Sequence, residues 1–337
     1  MNDKRRVWPR ALLLLCVSAG LLSYVLSRVD LSQVGQIFAN ANWPLAAATI
    51  VFSLSAFTLL PTYRWKSTLV AMGFNISFTQ LLFARFGSQP LKFSLPVKGG
   101  EAFRALYIRR RHGVPIALAG GSIVFDMFLV AVGQLTFLCI GIAVKGGELS
   151  HVLLPTVAVF IVGLTLTSKA IQRLMVSFTK RISTRIGDKV EQVAHGFLQF
   201  PLGVKFRLTA ISYAVEFSEI FSMYLCCKSL GLDIPIWAIL IYMLIVMGFT
   251  LIPVTISGLG TRELAIFLLF QGMASAEQLA SAALMFTFVE FILPALVGCA
   301  VLSPFLNALS REPVPVTESL SLEQKARFPH MEEGPSS

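Results

Sequence analysis

Two stretches of this chain place the same residue types in the same order. One runs Leu95-Pro96-Val97-Lys98-Gly99-Gly100-Glu101-Ala102-Phe103-Arg104, the other Ile252-Pro253-Val254-Thr255-Ile256-Ser257-Gly258-Leu259-Gly260-Thr261-Arg262-Glu263. In each, an apolar-Pro-Val start is followed by glycines and then by a glutamate and an arginine that open an apolar helical stretch. Proline removes a backbone donor and glycine frees the backbone, so each stretch is expected to break a helix at membrane depth. Broken backbone survives there only where it is buried in protein or lines a cavity. A helix starting after the glycines would turn free N–H groups and its positive dipole end into that cavity, with an arginine alongside. That combination suits an anion, and phosphate is the obvious anion of a membrane. Gly99, Gly100, Glu101, Arg104, Gly258, Gly260, Arg262 and Glu263 are therefore the candidate substrate-binding residues. Paired Gly/Pro interruptions in two halves of a chain are also what inverted-repeat transporters show.

A second group of residues is acidic and sits in apolar surroundings: Asp126, Glu216, Glu219 and Glu290. Glu216 and Glu219, three apart, share a helix face. Each carboxylate at a helix centre costs about 2.5–3.5 kcal/mol on insertion scales, so four of them point to a polar interior; a structural partner or simple protonation is the alternative for each. Several chemistries are argued against by what the sequence lacks. His112, His151, His195 and His330 have no H-x-x-x-H or C-x-x-C spacing around them, which leaves no metal site and no metalloenzyme reading. There is no G-x-x-x-x-G-K-[ST] phosphate loop and no G-x-S-x-G elbow. Catalytic, metal and cofactor residues are accordingly expected to be absent.

The elements that must position these residues are membrane helices. Of 337 residues 55% are hydrophobic and only 14% charged, with a mean hydropathy of +0.74; a soluble domain carries about 25% charged residues. The apolar residues come in runs long enough for a hydrocarbon slab about 30 Å thick. Strong spans are expected at 11–27, 43–60, 117–144, 152–168, 208–227, 235–256 and 279–305. Two shorter stretches, 78–97 and 259–272, are broken or re-entrant. The fold class is thus all-α: a polytopic helix bundle of about seven spans plus two broken elements, with an inverted repeat as one arrangement. Trp8, Trp43 and Trp237 stand at span starts and Trp65 just past a span end, where the interface attracts indole rings. The net charge of +10 falls between the apolar runs, where it signals topology and headgroup contact rather than nucleic-acid binding. Seven Lys and Arg lie in 85–115 and two in 62–77; both segments are then cytoplasmic, so 78–97 must enter and return. Residues 169–206 read as a basic amphipathic segment on the inner leaflet, with a self-packed soluble hairpin as the alternative. The membrane domain is bounded at 1–310, and 311–337 is expected to be a disordered tail. The five cysteines all lie inside apolar runs and read as small buried hydrophobes.

At this point the residues resemble a known family. Gly99-Gly100-Glu101-Ala102-Phe103-Arg104-Ala105 followed by Arg109-Arg110-Arg111-His112-Gly113-Val114-Pro115 resembles the G-E-x-x-R-x-x-x-x-+-+-x-G-V block of the lysylphosphatidylglycerol synthase transmembrane-domain, or flippase-like, family. Gly258-Leu259-Gly260-Thr261-Arg262-Glu263-Leu264-Ala265 resembles its second signature, G-G-L-G-x-R-E-x-A, and Arg64-Trp65 also fits. The resemblance spans roughly 10–305 and implies a helical bundle with re-entrant helices that moves a phospholipid or lipid-linked headgroup between leaflets. Ser257 stands where the family often has Gly, and Met127 follows Asp126 where relatives commonly carry Arg. No aminoacyl-transferase domain follows the membrane domain, so the chain itself is not expected to make lysyl-lipid.

The leading expectation is a non-enzymatic lipid transporter in the cell membrane, in the manner of a bacterial inner-membrane protein. Its ligand is an anionic or phosphate-containing membrane lipid bound by Arg104 and Arg262. Two alternatives stay open: an integral-membrane enzyme on a lipid phosphate or lipid-linked sugar with Glu101 or Glu263 as base, and a non-catalytic partner of a lipid-biosynthesis enzyme.

Overall fold

A computed structural model describes residues 4–92, 99–146, 200–251 and 255–312. The expected span 152–168, most of the basic segment 169–206 and nearly all of the tail lie outside them. The described residues form helices α1 (Lys4–Ser27), α2 (Leu31–Ala39), α3 (Trp43–Ala71), α4 (Phe78–Lys92), α5 (Gly99–His112), α6 (Ile116–Gly146), α7 (Leu202–Ser229), α8 (Ile236–Leu251), α9 (Thr261–Leu269), α10 (Ala276–Thr287) and α11 (Leu293–Ser310). Between α10 and α11, Phe288–Ile292 winds as a π-helical turn. No strand occurs among the described residues.

Among the described residues three helices are long and apolar enough to cross a membrane: Trp43–Ala71, Ile116–Gly146 and the continuous run Ala276–Ser310. A fourth span exists if α1 and α2, bent by 82° at their junction, count as one. Asp30 makes that bend by capping α2, its carboxylate accepting the Ser32 N–H at 2.8 Å. The other expected spans differ for physical reasons. The 28-residue α7 is long enough but carries Lys205, Arg207, Glu216, Glu219 and Lys228. The 16 residues of α8 reach only about 24 Å at 1.5 Å each.

Helices α3 and α7 are the frame of the bundle. The Asn42 N–H donates to the Ser229 carbonyl at 2.7 Å, the Ser53 and Ser222 hydroxyls meet at 2.5 Å, and Arg64 donates to Ser212 at 3.2 Å. These pairings run in opposite directions along the two chains, so the helices are antiparallel. Small residues at the seam (Ala46, Ser53, Ala56, Ser218, Ser222) let the two backbones approach, as helix pairs in lipid require.

Helix α3 is longer than expected. It continues past residue 60 through Pro61 to Ala71 and takes Arg64 and Trp65 with it. Trp65 is therefore not an interfacial ring at a span end. It is 1% exposed and donates its indole N–H to Ser122 of α6 at 3.0 Å. Trp43, by contrast, is exposed at the start of α3, and Trp237 stacks under the Lys145 ammonium at 4.9 Å, the position of an interfacial anchor.

Helices α4 and α5 form an antiparallel hairpin. Phe83 lies against Tyr107 with ring centroids 5.8 Å apart, and at the other end Gly100 sits against the Ser88 carbonyl and the Lys92 backbone. Fifteen residues of α4 span about 22 Å, short of the roughly 30 Å of hydrocarbon. The hairpin packs on α11, where Gly87 accommodates Phe305 and Gly298 accommodates Phe86 and Pro90. One apolar core gathers around it, with Trp65, Leu81, Ile108, Leu118 and Phe305. A second joins α7 to α8, α9 and α10 through Met223, Ile239, Met243, Ile266 and Phe286.

Candidate functional site

Between the two cores lies a buried polar system with a cationic end and an acidic end. At the cationic end, α3, α4, α5 and α6 bring together Arg64, Arg85, Arg104, Asp126 and Glu101. Arg64 is 1% exposed; its Nε donates to the Asp126 carboxylate at 2.6 Å and its fork also reaches Ser212. Asp126, expected to line a cavity, is the counter-charge of this arginine. Arg104 lies over the Trp65 ring at 5.2 Å and pairs with Glu101 one turn earlier on α5. Glu101 also takes the Lys92 ammonium at 3.0 Å. Arg85 is within electrostatic reach of Arg64, Arg104 and Asp126. The Nε atoms of both Arg85 and Arg104 are buried without a hydrogen-bond partner among the described residues. Four cations thus face two carboxylates, and two guanidinium groups retain unused donors. Gly99 and Gly100 open α5 beside them, where a Cβ on Gly100 would stand 2.9 Å from the Ser88 carbonyl oxygen.

The second broken segment has a different character. Ser257, Gly258 and Gly260 all have positive φ, at 53°, 80° and 88°. They wrap the chain into α9, whose first N–H groups are answered locally: the Gly260 N–H donates to the Glu263 carboxylate at 2.5 Å. The other oxygen of Glu263 accepts from Thr287. Glu263 is thus a helix cap tied to α10. Arg262 is 1% exposed, with one NH group donating to the Ser257 carbonyl at 3.2 Å, the other reaching Thr287 at 3.5 Å, and its plane 3.3 Å from the Phe291 ring centre. The loop is fastened on both sides. The Ile256 N–H donates to Ser18 of α1 at 2.9 Å, and the Ser257 hydroxyl donates to the Lys92 carbonyl at 2.7 Å. This last bond ties the end of α4 to the second glycine stretch.

The acidic end is formed by Glu216 and Glu219 of α7 and Glu290 of the π turn. Glu216 and Glu219 line a cleft of about 260 Å³, open mouth included, together with Gln134, Phe137, Leu240, Met243 and Met247. Glu216 is 2% exposed and Glu290 7%, and each has one carboxylate oxygen without a partner among the described residues. Gly133 of α6 makes the room for Glu216, whose side chain fills the place of a Cβ. Glu290 lies near Ser222, Glu219 and Arg262. The wide π turn is what rotates it inward, a device that recurs at functional sites.

The structure therefore brings Gly99, Gly100, Glu101 and Arg104 together with Asp126. It groups Gly258, Gly260, Arg262 and Glu263 in a separate loop, and gathers Glu216, Glu219 and Glu290 into one cluster. Arg85 was not singled out from the sequence, although a lone arginine in the short apolar stretch 78–97 was a signal for it.

A bundle of this kind, with spanning helices, a paired short-helix hairpin and buried charges, defines a polytopic membrane protein. The chain belongs to the family described as the lysylphosphatidylglycerol synthase TM region, whose model matches residues 11–298. It is 21% identical over 316 residues to the UPF0104 membrane protein MJ1595 of Methanocaldococcus jannaschii, covering 86% of this chain and 93% of that protein. It is also 28% identical over 151 residues to the Glycosyltransferase AglD of Haloferax volcanii, which is 42% of this chain and only 24% of that enzyme. The chain thus matches about a quarter of the glycosyltransferase's length.

Proposed function

We propose that the protein moves a phosphate-bearing membrane lipid between leaflets of the cell membrane, binding the headgroup at the cationic end. The observation that carries this reading is the pair of guanidinium groups on the α4–α5 hairpin, Arg85 and Arg104, whose buried Nε donors have no partner among the described residues, with Gly99 and Gly100 opening α5. A buried donor left unmade costs about 1–3 kcal/mol, a penalty that a phosphate entering the site would remove. An arginine fork can hold two phosphate oxygens at once. Arg64 is already engaged by Asp126 and serves to shape the wall. Arg262, expected from the sequence to share the phosphate, directs its two terminal NH groups at Thr287 and Ser257 and keeps only its Nε without a partner among the described residues; its part is to hold the glycine loop along the headgroup path. The match to a portion of a glycosyltransferase favours a second reading of the cargo, a lipid-linked saccharide, or of the protein as a membrane partner of an enzyme that uses one.

The test is reconstitution into vesicles carrying a fluorescent phospholipid, with dithionite reporting the leaflet exposed. Wild type is expected to speed exchange, Arg104→Lys to slow it although the charge is kept, and Arg104→Ala to slow it further. Removing Glu101 together with Arg104 separates a phosphate site from a structural pair. An Arg104→Ala/Glu101→Ala variant that moves lipid at the normal rate refutes the assignment.

A further inference from the structure

The acidic end has no role in the reading above, and its chemistry is that of a proton carrier. We propose that Glu216, Glu219 and Glu290 form a proton-exchange site opening into the cleft beside α8, and that proton movement through it drives the lipid cycle; the second half rests on the transport reading. Glu216 stands at the middle of the 28-residue α7, where a carboxyl group is kept at a cost and marks an ion or proton path. It is 98% buried by its 2% exposure, yet its free oxygen belongs to a cleft-lining residue. Glu290 repeats the arrangement, buried with one unpartnered oxygen.

The polar and charged groups near these carboxyls come from α3, α6, α7 and α9. Gln134 of α6 lines the cleft beside Glu216, and Arg64 of α3 and Asp126 of α6 lie within electrostatic reach of it. Around Glu290 stand Glu219 and Ser222 of α7 and Arg262 of α9, with the Cys226 thiol of α7 also in range. Glu263 flanks Arg262 at 4.0 Å. Helix α8 contributes only apolar side chains to the cleft, Leu240, Met243, Leu244 and Met247. No group of three or more His, Cys, Asp or Glu among the described residues is arranged to hold a metal ion. A single proton needs no such cage, only one carboxyl oxygen and a neighbour to receive from. Glu216 and Glu219 are one turn apart, and Glu219 lies between Glu216 and Glu290 electrostatically. The arrangement is a relay from the cleft to the π turn, ending beside the arginine that fastens the glycine loop. Loading or unloading a proton at Glu290 would change the charge facing Arg262, and through it the loop tied to α4.

Two measurements on the 337-residue chain test this. Infrared difference spectra of the protein in lipid nanodiscs, taken across a pH series, should show a protonated-carboxyl band that titrates. Glu216→Gln and Glu290→Gln should each remove part of the band, and Gln134→Ala should shift it. In vesicles with the membrane potential clamped, a pH gradient should redistribute the fluorescent phospholipid between leaflets. One proton per lipid gives about a tenfold ratio per pH unit, and Glu216→Gln and Glu290→Gln should abolish the redistribution. A band unchanged in both Gln variants overturns the proton site. A band that titrates while moving lipid ignores the gradient overturns the coupling. If no lipid moves in wild type, the transport reading and the coupling fail together, while the infrared band still decides the proton site.

Discussion

Replacing Gly260 by alanine tests whether the second glycine loop is fixed by close packing. The residue sits at φ 88°, ψ −47°, a region that a side chain disfavours by about 1–2 kcal/mol. An added Cβ would lie 2.7 Å from the Ser18 carbonyl oxygen and 3.0 Å from the Leu21 Cβ, both on α1. Overpacking of that kind costs a further 1–3 kcal/mol, roughly. The neighbours cannot yield cheaply, because the nearest atom is backbone and Ser18 is itself tied to the Ile256 N–H. The total of about 2–5 kcal/mol corresponds to a fall in melting temperature of roughly 3–8 °C for a chain of this size. Gly203 is the control, since nothing lies within 4 Å of a Cβ there and alanine favours a helix by up to about 1 kcal/mol. Thermal unfolding in detergent, followed by reactivity of the buried Cys226 and Cys227, reads both variants. A Gly260→Ala protein that melts with wild type, or no lower than Gly203→Ala, would refute the argument. So would a variant that regains wild-type stability only when lipid is added, since that would place the crowding against a headgroup rather than against α1.

Breaking the Arg64–Asp126 pair from one side leaves a buried charge alone. Arg64→Met and Asp126→Leu should each destabilise by about 3–5 kcal/mol, while the double variant recovers most of the loss; a double variant as unstable as the sum of the two would show that the pair is not the unit. His112 closes α5 at its basic end, outside the apolar spans, and burial first and Arg111 second hold its pKa below the ordinary 6.5. A folded-state pKa that is depressed contributes stability above the unfolded value that is lost as the pH falls. Melting temperature should therefore decline below about pH 6.5, and His112→Gln should flatten that decline; an identical pH profile in the variant would remove His112 from the account.

The helical membrane class, the two broken segments and the proximity of Glu101 to Arg104 were all legible in the sequence, because each depends on local periodicity or on residues one turn apart. Pairings across the bundle were not. Arg64 and Asp126 are separated by 62 positions, and nothing local marks one as the partner of the other. The tryptophan rule misplaced Trp65 because α3 does not stop where its apolar run does. An arginine can continue a membrane helix when neighbouring helices satisfy it, and here Asp126 and Ser212 do so, while Ser122 takes the Trp65 indole N–H. Glu263 reads from the sequence as a ligand or a base, and only the Gly260 N–H and Thr287 hydroxyl aimed at it reveal a cap. The inward turn of Glu290 rests on a π turn that no residue pattern announces.

The bond from the Ser257 hydroxyl to the Lys92 carbonyl has a kinematic consequence. It ties the C-terminal end of α4 to the glycine loop that opens α9, so neither can shift without carrying the other or releasing the latch. A neutral hydrogen bond is worth about 1 kcal/mol net, which biases the coupled geometry about fivefold in population. That is enough to make the helix end and the loop move together by default, and little enough for a competing hydrogen bond to uncouple them.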